Sequence, residues 1–314
     1  MPAKISIKPN KDKLNKDTKN KNKQQQIRES SMSPPPPPPW NGSLIEMTVL
    51  EYDRYFTKSS KGFKTKNSSY FKSIVSFINN IVECANFKLN KDGIKIVSMD
   101  KAHVALLDCF IPSSFFSHYN FTDGQRDITL GININILMKI LNHLKPEDEL
   151  IFEYRGDSLD ISFINDKYKK FYNIKLMDID SDELCIQDCS SATGINIESK
   201  YFYDIIKDFN DIGEVVKFIV SKQRIDNENQ NIELECAGDM TGLRMVLCND
   251  DLTLSNLQDI SLDFSLKNLE IFSKGYNLNK YMDIEIDNNF PIKMTYQIMS
   301  DGYINYFLAP RIED

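Results

Sequence analysis

The chain of 314 residues carries 38 Lys and Arg against 45 Asp and Glu, for a net charge of -7, and 41% of its residues are hydrophobic. This length and apolar content suit two folded domains of ordinary size. The acidic balance argues against a protein that attracts nucleic acid through its overall charge, although a local basic surface stays open. The six cysteines form no CxxC pair, and neither a secretion signal nor a run of about 18 apolar residues is visible. We therefore expect an intracellular protein with reduced, structural thiols.

The first 44 residues differ from the rest of the chain. They are rich in Lys, Asn, Gln and Ser, and they end in six prolines at 34–39 followed by Trp40, the only tryptophan. Such a segment cannot bury enough apolar surface to offset its chain entropy, so we expect a disordered tail with a stiff polyproline stretch. Trp40 is a candidate for docking on a partner, and a solvated tail is the alternative.

Four amphipathic helices interrupt a series of short strands after residue 47. Apolar residues recur at helical spacing over 70–84, 135–143, 199–209 and 265–274.

The spacing of strands and helices shows an internal repeat. Six apolar positions, each followed 132 residues later by an apolar counterpart, run from an alternating strand into a helix: Ile128, Leu130, Ile132, Ile134, Leu137 and Ile140. Two copies of one domain follow, each with two helices packed on antiparallel β-sheet, in the α+β class. We place domain 1 at 45–174, a connector that is acidic from 178 to 188 at 175–190, and domain 2 at 191–314.

The polar faces of the predicted helices carry lysines although the chain is acidic. Each face presents at least one lysine, with Ser and Asn neighbours and few acids. Lys is also a common exposed helix residue, so one helix alone says little. Four such faces on one side of a duplicated sheet predict a basic surface without paired acids, suited to loose, sequence-independent phosphate contacts.

Three segments resemble the proliferating cell nuclear antigen (PCNA) family of DNA sliding clamps. They are DGIKIVSMDKAHVALLD at 92–108, KLMDID at 175–180 and LAPRIED at 308–314, and the resemblance extends over about residues 64–314. It implies the DNA-clamp fold, with three subunits joined head to tail into a six-domain ring. In that family the lining helices face DNA and the outer face binds client peptides, without catalysis or a cofactor. The partners implied are double-stranded DNA, a DNA polymerase, other clamp-binding proteins and a clamp loader.

The resemblance also implies positions for the DNA contacts. The DNA-facing basic residues would be Lys72, Lys139, Lys207, Lys267 and Lys274, and three further candidates precede the connector: Lys169, Lys170 and Lys175. The chain departs from the family at four positions where a basic residue is usual, namely Ser73, Asn79, Asn142 and Asp204. We therefore expect a lining less positive than is typical of the family.

A client-peptide pocket is implied in the same way. The matching positions are Met99, His103, Val104, Leu106, Leu184, Ile186, Pro291, Phe307, Ala309 and Pro310. Apart from the resemblance, Leu184 and Ile186 are apolar residues in an acidic surface connector, which favours a docking groove. The alternative is that they only fasten the connector to the domains.

Two sheet edges are expected to lack a partner strand within the chain, near 167–175 and 241–248. Unpaired edges are normally covered or paired, and pairing one with the other is a heterologous contact that closes into a ring when the rotation permits. This predicts the homotrimer. The alternatives are a checkpoint-type clamp subunit in a heteromeric ring and a viral-type processivity factor that does not form a trimer.

A catalytic function is not expected. The three histidines lack metal-ligand spacing and there is no Walker-type phosphate loop. Four acids of the connector have the chemistry to hold Mg²⁺, but their clustering favours a solvated strip: Asp178, Asp180, Asp182 and Glu183. The high Asn, Ile and Lys content suggests an AT-rich genome, as in a protist or a large DNA virus, with the protein in a nucleus or at a viral replication site.

Overall fold

The computed structural model describes residues 61–121, 127–180, 192–223, 231–248 and 252–311. The predictions for the tail, for Trp40, and for Leu184 and Ile186 lie outside these residues. The described part holds four α-helices: α1 (Ser68–Ile81), α2 (Ile134–Leu141), α3 (Ser199–Asn210) and α4 (Leu266–Ser273).

Eighteen strands are found in the described part of the chain. The first nine are β1 (Gly62–Thr65), β2 (Cys84–Asn90), β3 (Gly93–Met99), β4 (Ala105–Pro112), β5 (His118–Asn120), β6 (Ile128–Asn133), β7 (Glu149–Tyr154), β8 (Ser158–Ile164) and β9 (Lys169–Lys175). The others are β10 (Thr193–Glu198), β11 (Val215–Val220), β12 (Ile232–Ala237), β13 (Gly242–Leu247), β14 (Leu252–Ser255), β15 (Ile260–Ser265), β16 (Tyr281–Ile286), β17 (Ile292–Ile298) and β18 (Gly302–Leu308). Two short 3₁₀ helices lie at Ser113–Phe115 and Lys274–Asn277.

The predicted duplication is confirmed element by element. Strand β6 runs directly into α2, and β15 runs directly into α4, with every boundary in the second pair 132 residues after its counterpart. The predicted first helix extended to residue 84, whereas α1 ends at Ile81. The difference has a simple cause: the chain turns extended at Val82 and enters β2, where Ala85 and Phe87 continue the apolar pattern in a strand.

The strands form three antiparallel sheets, and one of them joins the two domains. Its nine strands lie in the order β14-β10-β16-β17-β18-β4-β3-β2-β6, so that five strands of the second repeat continue into four of the first. The join is the pairing of β18 with β4, from Tyr303 opposite Phe110 to Leu308 opposite Ala105. A five-stranded sheet (β5-β1-β7-β8-β9) and a four-stranded sheet (β13-β12-β11-β15) complete the two domains.

Strand β1 shows that the segment just before the first helix is part of the fold. It lies between β5 and β7, and its Phe63 ring packs 4.7 Å from Phe116 and 4.6 Å from Phe152. Aromatic pairs at such distances contribute beyond their buried area. This segment thus supplies an interior strand of the five-stranded sheet of the first domain.

The helices pack on the sheets through one apolar face each. In α3, for example, the buried residues Phe202, Ile205, Ile206 and Phe209 recur at helical spacing, while Lys200, Asp204 and Lys207 are exposed. This pattern leaves the polar face of each helix to solvent. Among the described residues, no helix has the length and apolar character needed to cross a membrane.

Candidate nucleic-acid interface and peptide groove

The four helices form one continuous layer. Helix α1 packs on α2 and α3 packs on α4, and the two pairs meet where α1 contacts α4. At this junction the ring of Phe77 lies 5.5 Å from that of Phe272 and 5.9 Å from that of Tyr296, and the Tyr70 hydroxyl donates to the carbonyl of Leu278 at 2.8 Å. The helices of both domains therefore form one layer, and a common basic surface made by their lysines stays a prediction.

On the helices of domain 1 the predicted lysines have no acidic partner among the described residues. Lys72 is partly exposed on α1, and Lys139 is exposed in the last turn of α2. A cation near a helix C-terminus is favoured by the helix dipole. Both ammonium groups are thus available to an anionic ligand.

On the helices of domain 2 the expectation of lysines without paired acids was wrong in part. Lys207 and Lys267 are exposed and have no ion pair within the described part of the chain. The ammonium of Lys274, just after α4, instead lies 2.8 Å from a carboxylate oxygen of Glu270. The physical reason is the spacing of four residues, which places the two side chains on adjacent turns of one face. The same spacing pairs Lys200 with Asp204 on α3.

The pair on α3 has an electrostatic consequence. The hydrogen bond to Asp204 raises the pKa of the Lys200 ammonium above its usual value, and the nearby Tyr276 and Tyr203 act in the same direction. Lys200 therefore stays charged, but its charge is compensated by a neighbour in the absence of any ligand. A compensated lysine releases fewer counterions from DNA than an unpaired one.

The three further lysine candidates lie on strand β9 and not on a helix. Lys169 and Lys170 are partly exposed, and Lys175 is exposed at the strand end. The ammonium of Lys170 donates to the carbonyl of His143 at 3.0 Å, just beyond α2, and lies 4.4 Å from the centre of the Tyr168 ring. Of the three, Lys170 thus contacts the residues just after the end of α2.

Strands β9 and β13 are the two long edges that remain uncovered in the described structure. Strand β9 ends the five-stranded sheet and β13 ends the four-stranded one. Two other edges are covered, because Met177 forms a bridge with Gly131 on β6 and Arg311 forms one with Asp263 on β15. Strands β5 and β14 are short, with three and four residues. Long open edges invite pairing with a second chain, and these two match the edges expected from the sequence.

The start of the connector is held against the nine-stranded sheet. The amide of Met177 donates to the carbonyl of Gly131 at 2.8 Å, and the Asn86 side chain donates to the carbonyl of Ile179 at 2.9 Å. A Cβ at position 131 would lie 2.0 Å from the Met177 oxygen, so this approach requires glycine. The anchoring sets the course along which the connector leaves domain 1.

Strand register brings the middle of the predicted peptide pocket together. Met99 lies opposite Leu106 across β3 and β4, and Leu106 lies opposite Phe307 across β4 and β18. Leu106 and Phe307 are only 4% and 8% exposed, yet they stand outside the main core cluster, which takes the alternate residues Leu107 and Tyr306. Since successive strand residues point to opposite faces, the three form an apolar row on the face away from the helices.

The loop after β3 lies at the end of this apolar row, at the position of the predicted client groove. The Asp100 carboxylate accepts hydrogen bonds from the amides of Val104 and Ala105, both at 2.9 Å, and His103 adopts a left-handed backbone conformation with φ of 56°. The turn leaves Val104 37% exposed and lets its carbonyl accept from the amide of Ala309 at 3.1 Å.

Three other predicted pocket residues flank the neighbouring strands: one directly precedes β17 and two directly follow β18. Pro291, Ala309 and Pro310 are partly exposed, and Pro291 directly precedes β17, which pairs with β18. The predicted anchors Leu184 and Ile186 lie outside the described residues, so their place in the groove stays a prediction.

The sequence analysis missed two polar clusters. One is a pair of tyrosines, Tyr203 and Tyr276, beside the lysines of domain 2, for which the only signal was an aromatic residue on a polar helix face. The other is Lys95, which donates to the Tyr303 hydroxyl at 2.6 Å and pairs with Asp108 on the outer face of the central sheet. Burial lowers the pKa of Lys95, but these hydrogen bonds outweigh it and hold the pKa above its usual value. Asp108 lies on the neighbouring strand β4, but Tyr303 is 208 residues from Lys95, so no local pattern predicted the cluster.

A metal site of the kind considered for the connector acids needs several ligating side chains close together. No group of three or more His, Cys, Asp or Glu side chains is positioned to hold a metal ion among these residues. Of the connector acids, Asp178 and Asp180 are exposed, while Asp182 and Glu183 lie outside the described ranges.

Comparison with known proteins agrees with this architecture. The family model for the PCNA N-terminal domain matches residues 62–184, and that for the C-terminal domain matches 185–311. The chain is 29% identical over 263 residues to the proliferating cell nuclear antigen of Chaetomium thermophilum, covering 80% of this chain and 98% of the relative. It is 28% identical over 258 residues to that of Dictyostelium discoideum, covering 78% and 97%.

A solved structure supports the fold. The crystal structure of the Entamoeba histolytica proliferating cellular nuclear antigen superimposes with a TM-score of 0.73 at 24% identity, covering 81% of this chain and all of the other. The two family models together span most of the chain and place both domains in their expected order. The chain therefore belongs to the proliferating cell nuclear antigen family and is a DNA sliding clamp.

Proposed function

We propose that three copies of this chain close into a ring, with the helical layer facing duplex DNA and the outer groove holding client proteins. Members of this family bind DNA and partner proteins and self-assemble. The observation that carries the proposal is the combination of one continuous helical surface with two long open edges, β9 and β13, at the far ends of the described sheets. Pairing β9 of one copy with β13 of the next is a heterologous contact of the kind that closes rings.

The DNA contact in this proposal is electrostatic and indifferent to sequence. The unpaired lysines Lys72, Lys139, Lys207 and Lys267 project from helices without a recognition helix or a base-reading fork around them. Such contacts position a protein on phosphates but do not read bases. Retention on DNA then comes from the closed ring, and the protein acts as a non-catalytic tether at sites of replication, in a nucleus or at a viral replication site.

Ring closure is tested by the mass of the assembly in solution. Light scattering should give the mass of three chains at micromolar concentration. A monomer mass that is unchanged on dilution would favour the non-trimeric processivity factor, and a trimer that forms only with other chains would favour a checkpoint-type subunit.

The lining is tested by changing Lys72, Lys139, Lys207 and Lys267 to Ala. Each phosphate contact that is lost should reduce the steepness of the salt dependence of duplex binding by about 0.9, with no effect of base sequence. Lys88→Ala is the matched control, because Lys88 is an exposed lysine on β2 that points away from the helices. An unchanged salt dependence in the fourfold variant would falsify the proposed lining.

The client groove is proposed to bind a peptide of the polymerase or of another replication protein that carries an aliphatic residue and aromatic side chains, with Leu184 and Ile186 as further apolar anchors. Truncating a central apolar anchor commonly costs about 2 kcal/mol or more. The variant Leu184→Ala with Ile186→Ala should therefore bind such a peptide roughly tenfold to a thousandfold more weakly in calorimetry. Met240→Ala, at a fully exposed hairpin tip, is the apolar control. Wild-type affinity in the folded double variant would mean that the two residues only fasten the connector.

A further inference from the structure

Two tyrosines form a pair between the helices of domain 2. Tyr203 belongs to α3 and Tyr276 to the 3₁₀ helix after α4, and their ring centres lie 4.8 Å apart at an angle of 37°. Both side chains are partly exposed. We call this pair the tyrosine seam.

The tyrosine seam lies among residues of the proposed lining. Lys207 follows Tyr203 by four residues, which places both on one side of α3, and Lys274 precedes Tyr276 by two residues. Lys200, one turn before Tyr203, holds its ammonium 5.1 Å from the Tyr203 ring centre and 5.5 Å from that of Tyr276. One cation, the Lys200 ammonium, thus lies beside both phenol rings, and two further lysines lie nearby in sequence.

The contacts of the tyrosine seam decide which atoms remain for a ligand. The two rings pack against each other and against the Lys200 ammonium, so their faces are in use and offer little to a stacking base. The hydroxyls differ, because neither Tyr203 nor Tyr276 makes a hydrogen bond through its hydroxyl within the described part of the chain. Two neutral O–H donors at a half-exposed site are what the seam offers.

Neutral donors beside lysines suit the oxygens of a phosphate backbone. Tyrosine hydroxyls are among the groups that contact DNA phosphates and sugars, and such contacts position a protein without reading sequence. A neutral donor differs from lysine in one measurable respect. Its contact neutralises no phosphate, so it adds affinity without adding to the release of counterions.

We propose that the tyrosine seam is a second, uncharged contact of this clamp with the phosphate backbone of duplex DNA. The inference rests on the proposed function, since it requires the helical layer to face DNA. In domain 2 it supplies hydrogen bonds on a surface where Asp204 and Glu270 already compensate two of the lysines. The hydrogen bonds of the seam to phosphate then depend weakly on salt, whereas the electrostatic contacts of the neighbouring lysines depend on it strongly.

The test uses the full chain with Tyr203→Phe and Tyr276→Phe together, which removes both hydroxyls and keeps both rings. Fluorescence anisotropy with a labelled duplex, titrated over a range of salt, measures affinity and salt dependence at once. We expect binding about two- to tenfold weaker, the size of one or two net hydrogen bonds, with an unchanged salt dependence. Tyr154→Phe in β7 is the matched control, because this partly exposed tyrosine lies on a strand of domain 1.

Two results would overturn the inference. Wild-type affinity in the double Phe variant would show that the tyrosines only pack α3 against the 3₁₀ helix. A reduced salt dependence would show that the substitution acts by moving lysines. The lysine variants of the previous section, run in the same titration, separate the two proposals: if they weaken binding while the Phe variant does not, the lining stands and the seam fails.

A second measurement does not depend on the stability of the variant. Wild-type protein labelled with 3-fluorotyrosine reports each tyrosine by ¹⁹F resonance, and the single Phe variants assign the signals. Adding duplex DNA should shift the resonances of Tyr203 and Tyr276 and leave that of Tyr154 in place. Unshifted seam resonances at a duplex concentration that shifts other tyrosines would exclude the contact.

Discussion

The two helix pairs of this clamp share a backbone arrangement and differ in charge. Helices α1 and α2 contain one lysine each and no acidic residue, so each carries a charge of +1. Helix α3 has two lysines and two aspartates and is neutral, whereas α4 has one lysine and one glutamate and is followed directly by Lys274. The second pair together with Lys274 therefore carries a charge of +1, against +2 for the first pair. In the proposed ring, the more positive helix pairs of domain 1 therefore alternate with the helix pairs of domain 2, in which acidic residues offset most of the lysine charge.

The difference shows which part of a duplicated domain the fold constrains. Each helix must bury an apolar stripe against its sheet, and both copies do so, with Phe71 and Ile74 in α1 and Phe202 and Ile205 in α3. The polar face meets no such requirement, because a solvent-exposed substitution away from special features changes stability by only about 0.5 kcal/mol. Folding thus leaves the charge of the polar faces free to vary between the two copies, and in the proposed ring this charge acts on DNA contact.

The charge difference between the two helix pairs matters only if they belong to one layer. Gly275 lies where the two pairs meet, so a substitution there tests this packing. A Cβ there would lie 2.6 Å from Tyr296 Cε2 and 2.8 Å from Phe77 Cε2, two buried rings at the junction of the domains. Gly275→Ala should therefore lower the free energy of unfolding by about 1–3 kcal/mol, as overpacking of a core does.

Urea unfolding measures this effect. Gly242→Ala is the milder comparison, because its Cβ would meet one tight contact, the Cys236 carbonyl oxygen at 3.3 Å, and no buried ring. If Gly275→Ala were as stable as Gly242→Ala, the junction would be loose and the four helices would not be one rigid surface.

The second prediction concerns a variant of domain 2 whose helix charge resembles that of domain 1. Asp204→Ala removes the carboxylate that holds Lys200, so the freed ammonium can reach a phosphate. One added contact should raise the salt dependence of duplex binding by about 0.9 and the affinity by up to roughly tenfold at moderate salt. Asp208→Ala is the control, because it removes a negative charge from the same helix without releasing a paired lysine. Anisotropy titrations of both variants separate the release of the Lys200 ammonium from a general change of charge. Equal effects of the two variants would contradict the pairing argument.

The duplicated domain could be predicted from the sequence because its signals are periodic and repeated, whereas the clamp fold was implied by the family resemblance. Alternation along Ile128, Leu130 and Ile132 followed by helical spacing at Leu137 predicts a strand that enters a helix, and β6 and α2 confirm it. The pairing of β18 with β4 was not predicted, since residues about 200 apart in sequence give no local sign that their strands are neighbours.

The candidate DNA interface was predicted less completely than the fold, because pairing between its side chains leaves no signal in the sequence. Exposed lysines on helices can be found from the periodicity alone, as Lys139 and Lys267 were. Whether a lysine is compensated depends on a rotamer and on a neighbour, so the pairing of Lys274 with Glu270 required coordinates. The tyrosine seam joins two elements more than 70 residues apart, so the local sequence of neither element could predict the contact.

The smallest effect predicted concerns Lys274, whose expected role in DNA contact the structure qualifies. Because Glu270 already lies 2.8 Å from its ammonium, Lys274→Ala should reduce the salt dependence of duplex binding by clearly less than Lys267→Ala, which loses an unpaired cation.

The variant Glu270→Gln tests this reason. It removes the negative charge beside Lys274 but keeps a side-chain oxygen that can accept the hydrogen bond from Asn210, whose side chain donates to Glu270 at 3.0 Å. An exposed pair of this kind contributes about 0.3–0.5 kcal/mol to stability, so the substitution should leave the fold intact. In the Glu270→Gln background the two lysine variants should lose equal amounts of salt dependence, about 0.9 each, and the difference between backgrounds measures the coupling of the pair. If Lys274→Ala and Lys267→Ala already act equally with Glu270 present, the ion pair must open when DNA approaches, and compensation would not distinguish the two domains.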